Sequence, residues 1–144
     1  MTTVNLSFAA CGFMGIYHLG ALGAILRHGD KLLASLRACA GASAGALVAA
    51  VMITSPDKLE VCLSVIISSS SVVRVQQGTS SSLFFSAMEG IEEILPREAH
   101  NLATDRLHLS ITHSKSGKNH IVSSFSSREE LIKVTPTVFS MCNS

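Results

Sequence analysis

The chain opens on a strict alternation, Val4-Asn5-Leu6-Ser7-Phe8, which puts three apolar side chains on one face of a strand and two polar ones on the other. The small residues of AACGFMG break that pattern. An apolar helix is predicted from about Ile16 to His28, closed by Gly29, so the first unit is βα. A basic amphipathic stretch, KLLASLR, then leads to a short strand at Ala38 to Ala40, the turn GASAG, and a helix over ALVAAVMI. Ser55-Pro56 is a helix start, with Leu59, Cys62, Leu63, Ile66 and Ile67 on one face. Serine-rich stretches, Ser68 to Ser71 and Thr79 to Ser82, separate this helix from LFFSAMEGIEEIL. There Phe84, Met88, Ile91 and Leu95 fall at helical spacing, and Pro96 stops the helix. From Arg106 to His113 the chain alternates again through Leu107, Leu109 and Ile111. A turn around Gly117 carries it into IVSSF, which predicts a β-hairpin. Ser126 with Glu129, or Ser127 with Glu130, offers a capping box for a last helix through Leu131 and Ile132. Helices alternate with strands, so the predicted class is α/β.

Composition narrows this picture. The 144 residues fit one domain, 47% hydrophobic and only 15% charged. Eleven basic against ten acidic residues give no field suited to a nucleic-acid partner. Residues 1–26 and 38–56 contain no Lys, Arg, Asp or Glu and are long enough to count as membrane spans, in which GASAG would be a G-x-x-x-G packing motif. The first run, however, holds Asn5, Ser7, His18 and four glycines. The second divides into a strand-sized and a helix-sized piece, so the α/β reading is preferred. Cys11, Cys39, Cys62 and Cys142 form no C-x-x-C pair and have no histidines at zinc spacing. They read as reduced, mostly buried thiols with no metal to hold. The N-terminus lacks the basic region of a secretory signal, so the cytosol or a cytosolic membrane face is expected.

The chemistry lies in the two small-residue loops. A serine hydroxyl is a weak nucleophile, and enzymes hold it on a tight strand-to-helix turn where small neighbours keep it exposed and the helix N-terminus favours developing negative charge. Gly41, Ala42, Ala44 and Gly45 suit such an elbow around Ser43; the same pentad also suits a place where two backbones touch. Acyl transfer further needs backbone N–H donors for the oxyanion, and Ala10-Cys11-Gly12-Phe13-Met14-Gly15 can present them. That loop is also a degraded G-x-G-x-x-G. Its first glycine is replaced by Ala10, and Ala40-Gly41 stands where a dinucleotide site needs an acid, so no cofactor is expected. His100, His108, His113 and His120 follow Ser43 in the order a triad requires, yet His108 and His120 lie on strand-like segments. His18 reads as structural. The alternative base is a carboxylate acting directly on the serine.

LSFAACGFMGIYHLGAL, followed about thirty residues later by AGASAGALVAAV, resembles the opening of the patatin-like phospholipase domain. LPREAHNLATDRLHLSIT and NHIVSSFSSREELIKV are similar to later parts of its adiponutrin-related branch, and most like a small member associated with retinyl ester and triacylglycerol hydrolysis. The resemblance covers Val4 to Val134. It implies a three-layer α/β/α fold and a Ser-Asp dyad without metal or cofactor. Ser43 would be the nucleophile within Gly41, Ala42, Ala44 and Gly45, and Ala10, Cys11, Gly12, Phe13 and Gly15 would form the oxyanion-hole loop. Its substrates would be neutral lipid or phospholipid esters at a membrane or lipid-droplet surface. Ala10 departs mildly from the family's usual glycine. A larger departure is that none of Asp30, Asp57 and Asp105 begins the family's D-G-G or D-G-A. After Lys133-Val134 the chain reads TPTVFSMCNS, and Pro136 is expected to end the helix. On this basis residues 4–134 form a partial patatin-like domain, incomplete on its C-terminal side, and residues 135–144 a divergent tail. Two functions follow: a lipid acyl hydrolase, or an inactive form that only binds lipid surfaces or a partner.

Overall fold

A computed structural model describes residues 2–10, 15–61, 91–113 and 115–140, with the backbone alone at Gly15 and residues 136–140. Four strands form one sheet in the order β1 (Val4–Phe8), β2 (Leu36–Gly41), β3 (Leu107–Thr112), β4 (Asn119–Val122). The first three are parallel and β4 is an antiparallel edge. The helices are α1 (Gly15–His28), α2 (Asp30–Ser35), α3 (Ala44–Thr54), α4 (Ala99–Ala103) and α5 (Arg128–Ser140), and a 3₁₀ turn follows α3 at Pro56–Lys58.

The strand order advances in one direction from β1 to β3. Right-handed crossovers therefore bring α1 and α3 to the same face of the sheet. Register fixes which side chains meet them: Leu6 lies beside Cys39 and Phe8 beside Gly41, and these two β2 residues pair in turn with Leu107 and Leu109. That face is the core. All eleven residues of α3 are buried on it, which accounts for a helix with no polar stripe. Leu19 and Leu22 of α1, Ile91, Ile94 and Leu95, and Leu131 of α5 complete the same cluster. The other face carries Asn5, Ser7, Ala38, Ala40, His108 and Ser110, all exposed or half-buried. This mixed α/β sheet agrees with the patatin-like fold implied by the resemblance, and the described helices of its core share one face.

Local expectations hold where periodicity is strong. Leu6 and Phe8 share the core face, residues 91–94 are helical with Pro96 beyond them, and β3 and β4 form the hairpin, with Gly117 at φ 69° in its turn. The second strand-like stretch is longer than predicted: β2 begins at Leu36, because pairing with β1 from Val4 onward draws the backbone into the ladder, and Cys39 N–H then reaches the Arg106 carbonyl at 2.8 Å. Pro56 opens a 3₁₀ turn before the helical residues 59–61. Leu59 packs on the core, whereas Cys62, Leu63, Ile66, Ile67, Phe84, Met88 and the serine stretches lie outside the described residues.

One expectation fails. Pro136 does not end the last helix, which continues to Ser140. The missing N–H and the ring clash cost about 3 kcal/mol in a helix interior, but Leu131, Ile132 and Thr135 are buried on the preceding turn and anchor α5 regardless. The two charge-free runs resolve into β1 with α1 and β2 with α3, and among the described residues no helix is long and apolar enough to cross a membrane.

Candidate active site

Ser43 stands two residues after Gly41, the last residue of β2, and immediately before Ala44, the first residue of α3, at φ 54° and ψ −127°. Few non-glycine residues adopt such a backbone, which costs about 1–3 kcal/mol and persists only where its surroundings impose it. Here the surroundings are two glycines. A methyl group on Gly41 would overlap the Gly45 carbonyl and stand 2.7 Å from Ala46 Cα. One on Gly45 would overlap the Phe8 carbonyl and stand 2.7 Å from that of Ala9. The end of β2, the first turn of α3 and the end of β1 are thus in backbone contact, and the connecting residues have no room for a gentler turn. Ala42 N–H reaches the Phe8 carbonyl at 3.3 Å and Ala46 N–H the Ser43 carbonyl at 2.9 Å, closing the turn on both sides.

Serine is a favoured N-cap residue, yet the Ser43 hydroxyl makes no capping bond to α3. The strained backbone turns it away from the N–H groups it would otherwise satisfy. A half-buried hydroxyl is left at the positive end of a helix dipole, a place suited to negative charge. Ala42 is half-buried beside it and Ala44 is buried below, so neither chain neighbour is bulky.

The second loop leaves the sheet at the same end. Phe8 pairs with Gly41, Ala9 and Ala10 follow it exposed, and Gly15 is the first residue of α1. Cys11, Gly12 and Phe13 lie outside the described residues. What fixes the flanks of the loop is His18: its Nε2 donates to the Ala9 carbonyl at 3.0 Å, and its ring meets that of Phe8 edge-on at 5.4 Å. The structural role expected for His18 is therefore specific, holding the start of α1 against the carbonyl that also touches Gly45. No pattern in the sequence signals this pair, because it depends on how α1 returns to β1.

Of the possible bases, only His113 follows β3 at the Ser43 end of the sheet, where its Nδ1 accepts the Ser116 N–H at 3.3 Å; the others named above fall elsewhere. Asp105 is level with Arg37 in the β2–β3 register, six residues before Ser43, roughly 20 Å away at the rise of a strand. Asp57 follows the far end of α3, about 16 Å along that helix, and Asp30 follows α1, about 21 Å along it. All three aspartates occupy the end of the sheet opposite Ser43. His108 and His120 sit on β3 and β4 as expected, His108 beside Ala40 on the open face, while His100 lies on α4 with a buried Nδ1 that has no partner among the described residues. A groove of about 540 Å³ lined by Thr2, Thr3, Arg37, Asp105 and Arg106 also belongs to the far end. Cys39 is buried under the elbow, and desolvation pushes its thiol up to about 11, with the Arg106 charge pulling the other way, so it is an inert core residue. Among the described residues no group of His, Cys, Asp or Glu could hold a metal ion.

A strained serine stands between a parallel strand and a helix, with a small-residue loop leaving the neighbouring strand, in the form of a tight strand-to-helix turn. Residues 6–137 match the patatin-like phospholipase family, and the chain belongs to it. It is 51% identical over 138 residues to patatin-like phospholipase domain-containing protein 4 of Homo sapiens, covering 93% of this chain and 54% of that protein. It is 36% identical to patatin-like phospholipase domain-containing protein 2 of Bos taurus, over 92% of this chain and 28% of the relative. With 1-acylglycerol-3-phosphate O-acyltransferase PNPLA3 of Homo sapiens the identity is 35%, over 89% and 27% respectively. These relatives are consistent with the adiponutrin-related branch, and the chain spans about half of their length or less. No solved structure matches the chain significantly.

Proposed function

We propose that this chain is the nucleophile-bearing part of a lipid acyl hydrolase in which Ser43 attacks a carboxylic ester. The backbone of Ser43 carries the proposal: a strain of this kind, held by Gly41 and Gly45 and leaving the hydroxyl uncapped, has no use in stability and a direct use in presenting Oγ. Ser43 Oγ adds to the ester carbonyl, and amides of the loop from Ala10 to Gly15, with Cys11, Gly12 and Phe13 nearest the centre, receive the oxyanion. Collapse releases the alcohol and leaves an acyl-serine, which water then cleaves. Transfer of the acyl group to another alcohol would use the same intermediate, in keeping with the acyltransferase named among the relatives.

The proton of Ser43 passes to an aspartate in a Ser-Asp dyad. Since Asp30, Asp57 and Asp105 all lie at the opposite end of the sheet, that aspartate is not one of the three in these 144 residues. This favours a second reading, in which the 144 residues alone bind lipid without turning it over. The substrates are esters of neutral lipids or phospholipids, met at a membrane or droplet surface with which the chain associates peripherally.

The test is ester hydrolysis by the 144-residue chain and by one extended through the family's Asp-Gly-Gly segment, each beside its Ser43→Ala variant, on a short-chain ester and a triacylglycerol emulsion. The extended chain is expected to be active, with Ser43→Ala lowering turnover about 10⁴-fold or more, and the short chain to stay at background. Activity that survives Ser43→Ala in the extended chain overturns the assignment of the nucleophile.

A further inference from the structure

The sheet is electrically polarised along its strands. Every carboxylate among the described residues belongs to the end away from Ser43. Asp30 begins α2, Asp57 follows α3, Asp105 precedes β3, and Glu129 opens α5; Glu92 and Glu98 flank the segment whose carbonyls at Glu92, Leu95 and Pro96 are held by Arg128. The cations Arg37, Lys58 and Arg106 share that end. At the Ser43 end the only formal charges among the described residues are Lys115 and Lys118, both exposed on the turn of the β3–β4 hairpin. This turn projects beyond the level of Gly41, since Leu109 pairs with Gly41 and β3 continues to Thr112.

The same end carries an uncovered apolar surface. Tyr17, in the first turn of α1, is 70% exposed, and Ile16 beside it 43%. Further along the outward side of α1 come Gly20, Ala21 and Ala24, all exposed, with no charge before Arg27. A surface helix ordinarily turns charge to water; this one does not until it reaches the far end of the sheet.

We infer that this end of the molecule docks on an anionic phospholipid surface, with Tyr17 and Ile16 entering the headgroup boundary and Lys115 and Lys118 pairing with lipid phosphates or carboxylates, so that Ser43 faces the lipid. Tyrosine suits the place, having an apolar ring and a hydroxyl that stays wet. Each lysine near an anionic surface contributes about fivefold in affinity, and no carboxylate among the described residues stands at this end to cancel it. The orientation matters only on the reading that Ser43 is the reacting group, and it deepens that reading by naming the surface on which the ester is met.

Tyr17 is the sole tyrosine of a chain with no tryptophan, so tyrosine fluorescence reports on this patch alone. The chain is mixed with vesicles of phosphatidylcholine alone and of phosphatidylcholine with phosphatidylserine, and binding is followed by flotation and by acrylamide quenching. Binding is expected to require phosphatidylserine, to weaken with salt, and to shield Tyr17 from acrylamide. The pair Lys115→Gln and Lys118→Gln is expected to weaken it roughly 25-fold, Tyr17→Ser to weaken it as well, and the pair Lys31→Gln and Lys58→Gln at the far end to leave it unchanged. Equal losses from both lysine pairs, or a bound Tyr17 as open to acrylamide as the free one, overturn the proposal. Absence of vesicle binding with self-association that Tyr17→Ser abolishes assigns the surface to a second copy instead. Ser43→Ala separates this result from the hydrolase reading, because vesicle binding is expected to survive that change whichever way turnover falls.

Discussion

Ser43 and its two glycines make a strain that can be measured. Replacing Ser43 by glycine admits the φ of 54° without penalty, whereas alanine keeps the penalty and removes only the hydroxyl. Ser43→Gly is therefore expected to be more stable than Ser43→Ala by about 1 kcal/mol in urea denaturation, although glycine in general loosens a chain. Gly45→Ala pushes a methyl into the Phe8 carbonyl and is expected to cost about 3 kcal/mol, seen as a lower urea midpoint with little change in slope. The pentad GASAG was legible because glycine and alanine spacing is itself steric information. The backbones touch at Gly41 and Gly45, as one of its two sequence readings expected, and by touching they hold Ser43 in its turn. What could not be read was the hydrogen bond from His18 to Ala9, whose partners come together only when α1 packs back along β1.

At the level of the element, α5 illustrates how capping and burial outweigh a single unfavourable residue. Ser127 Oγ accepts the Glu130 N–H at 3.1 Å, as a capping box requires, but the Glu130 carboxylate reaches one residue further back, to the N–H of Ser126 at 2.8 Å and to its hydroxyl. These hydrogen bonds, the hydroxyl's first, hold the Glu130 carboxyl below the usual carboxylate range. A depressed folded pKa gives stability that is complete above the unfolded value and is lost as pH falls through the folded one. Urea midpoints measured across the acid range are expected to fall more steeply in the native chain than in Glu130→Gln, with the difference confined to pH values below the ordinary glutamate range. The sequence offered both serine–glutamate pairs because spacing alone does not say where the helix starts. It overvalued Pro136, because a local rule about ring and carbonyl carries no knowledge that Leu131, Ile132 and Thr135 are already buried. The boundaries of β2 escaped for a related reason, since strand length there is set by neighbours that lie far away in the chain.

The whole molecule joins segments that are distant in sequence, and this has a consequence for how the chain comes together. β1, α1, β2 and α3 follow one another and can associate as soon as the first third of the chain is available. β3 must then close onto β2 across a separation of about 70 residues, Cys39 meeting Leu107, at an entropic cost that grows only slowly with loop length but is met before the pairing repays it. Until that closure β2 has one open edge and the buried face of α3 lacks Leu107, Leu109 and Leu131. Pulsed hydrogen exchange during refolding is expected to protect the amides of α3 and of the β1–β2 ladder before those of β3 and β4; simultaneous protection of all four strands would show that the sheet forms in one step. The interval between the two stages is the time in which nascent chains can pair edge to edge with one another. Dilution and low temperature during refolding are thus expected to govern its yield more than any residue of the elbow does.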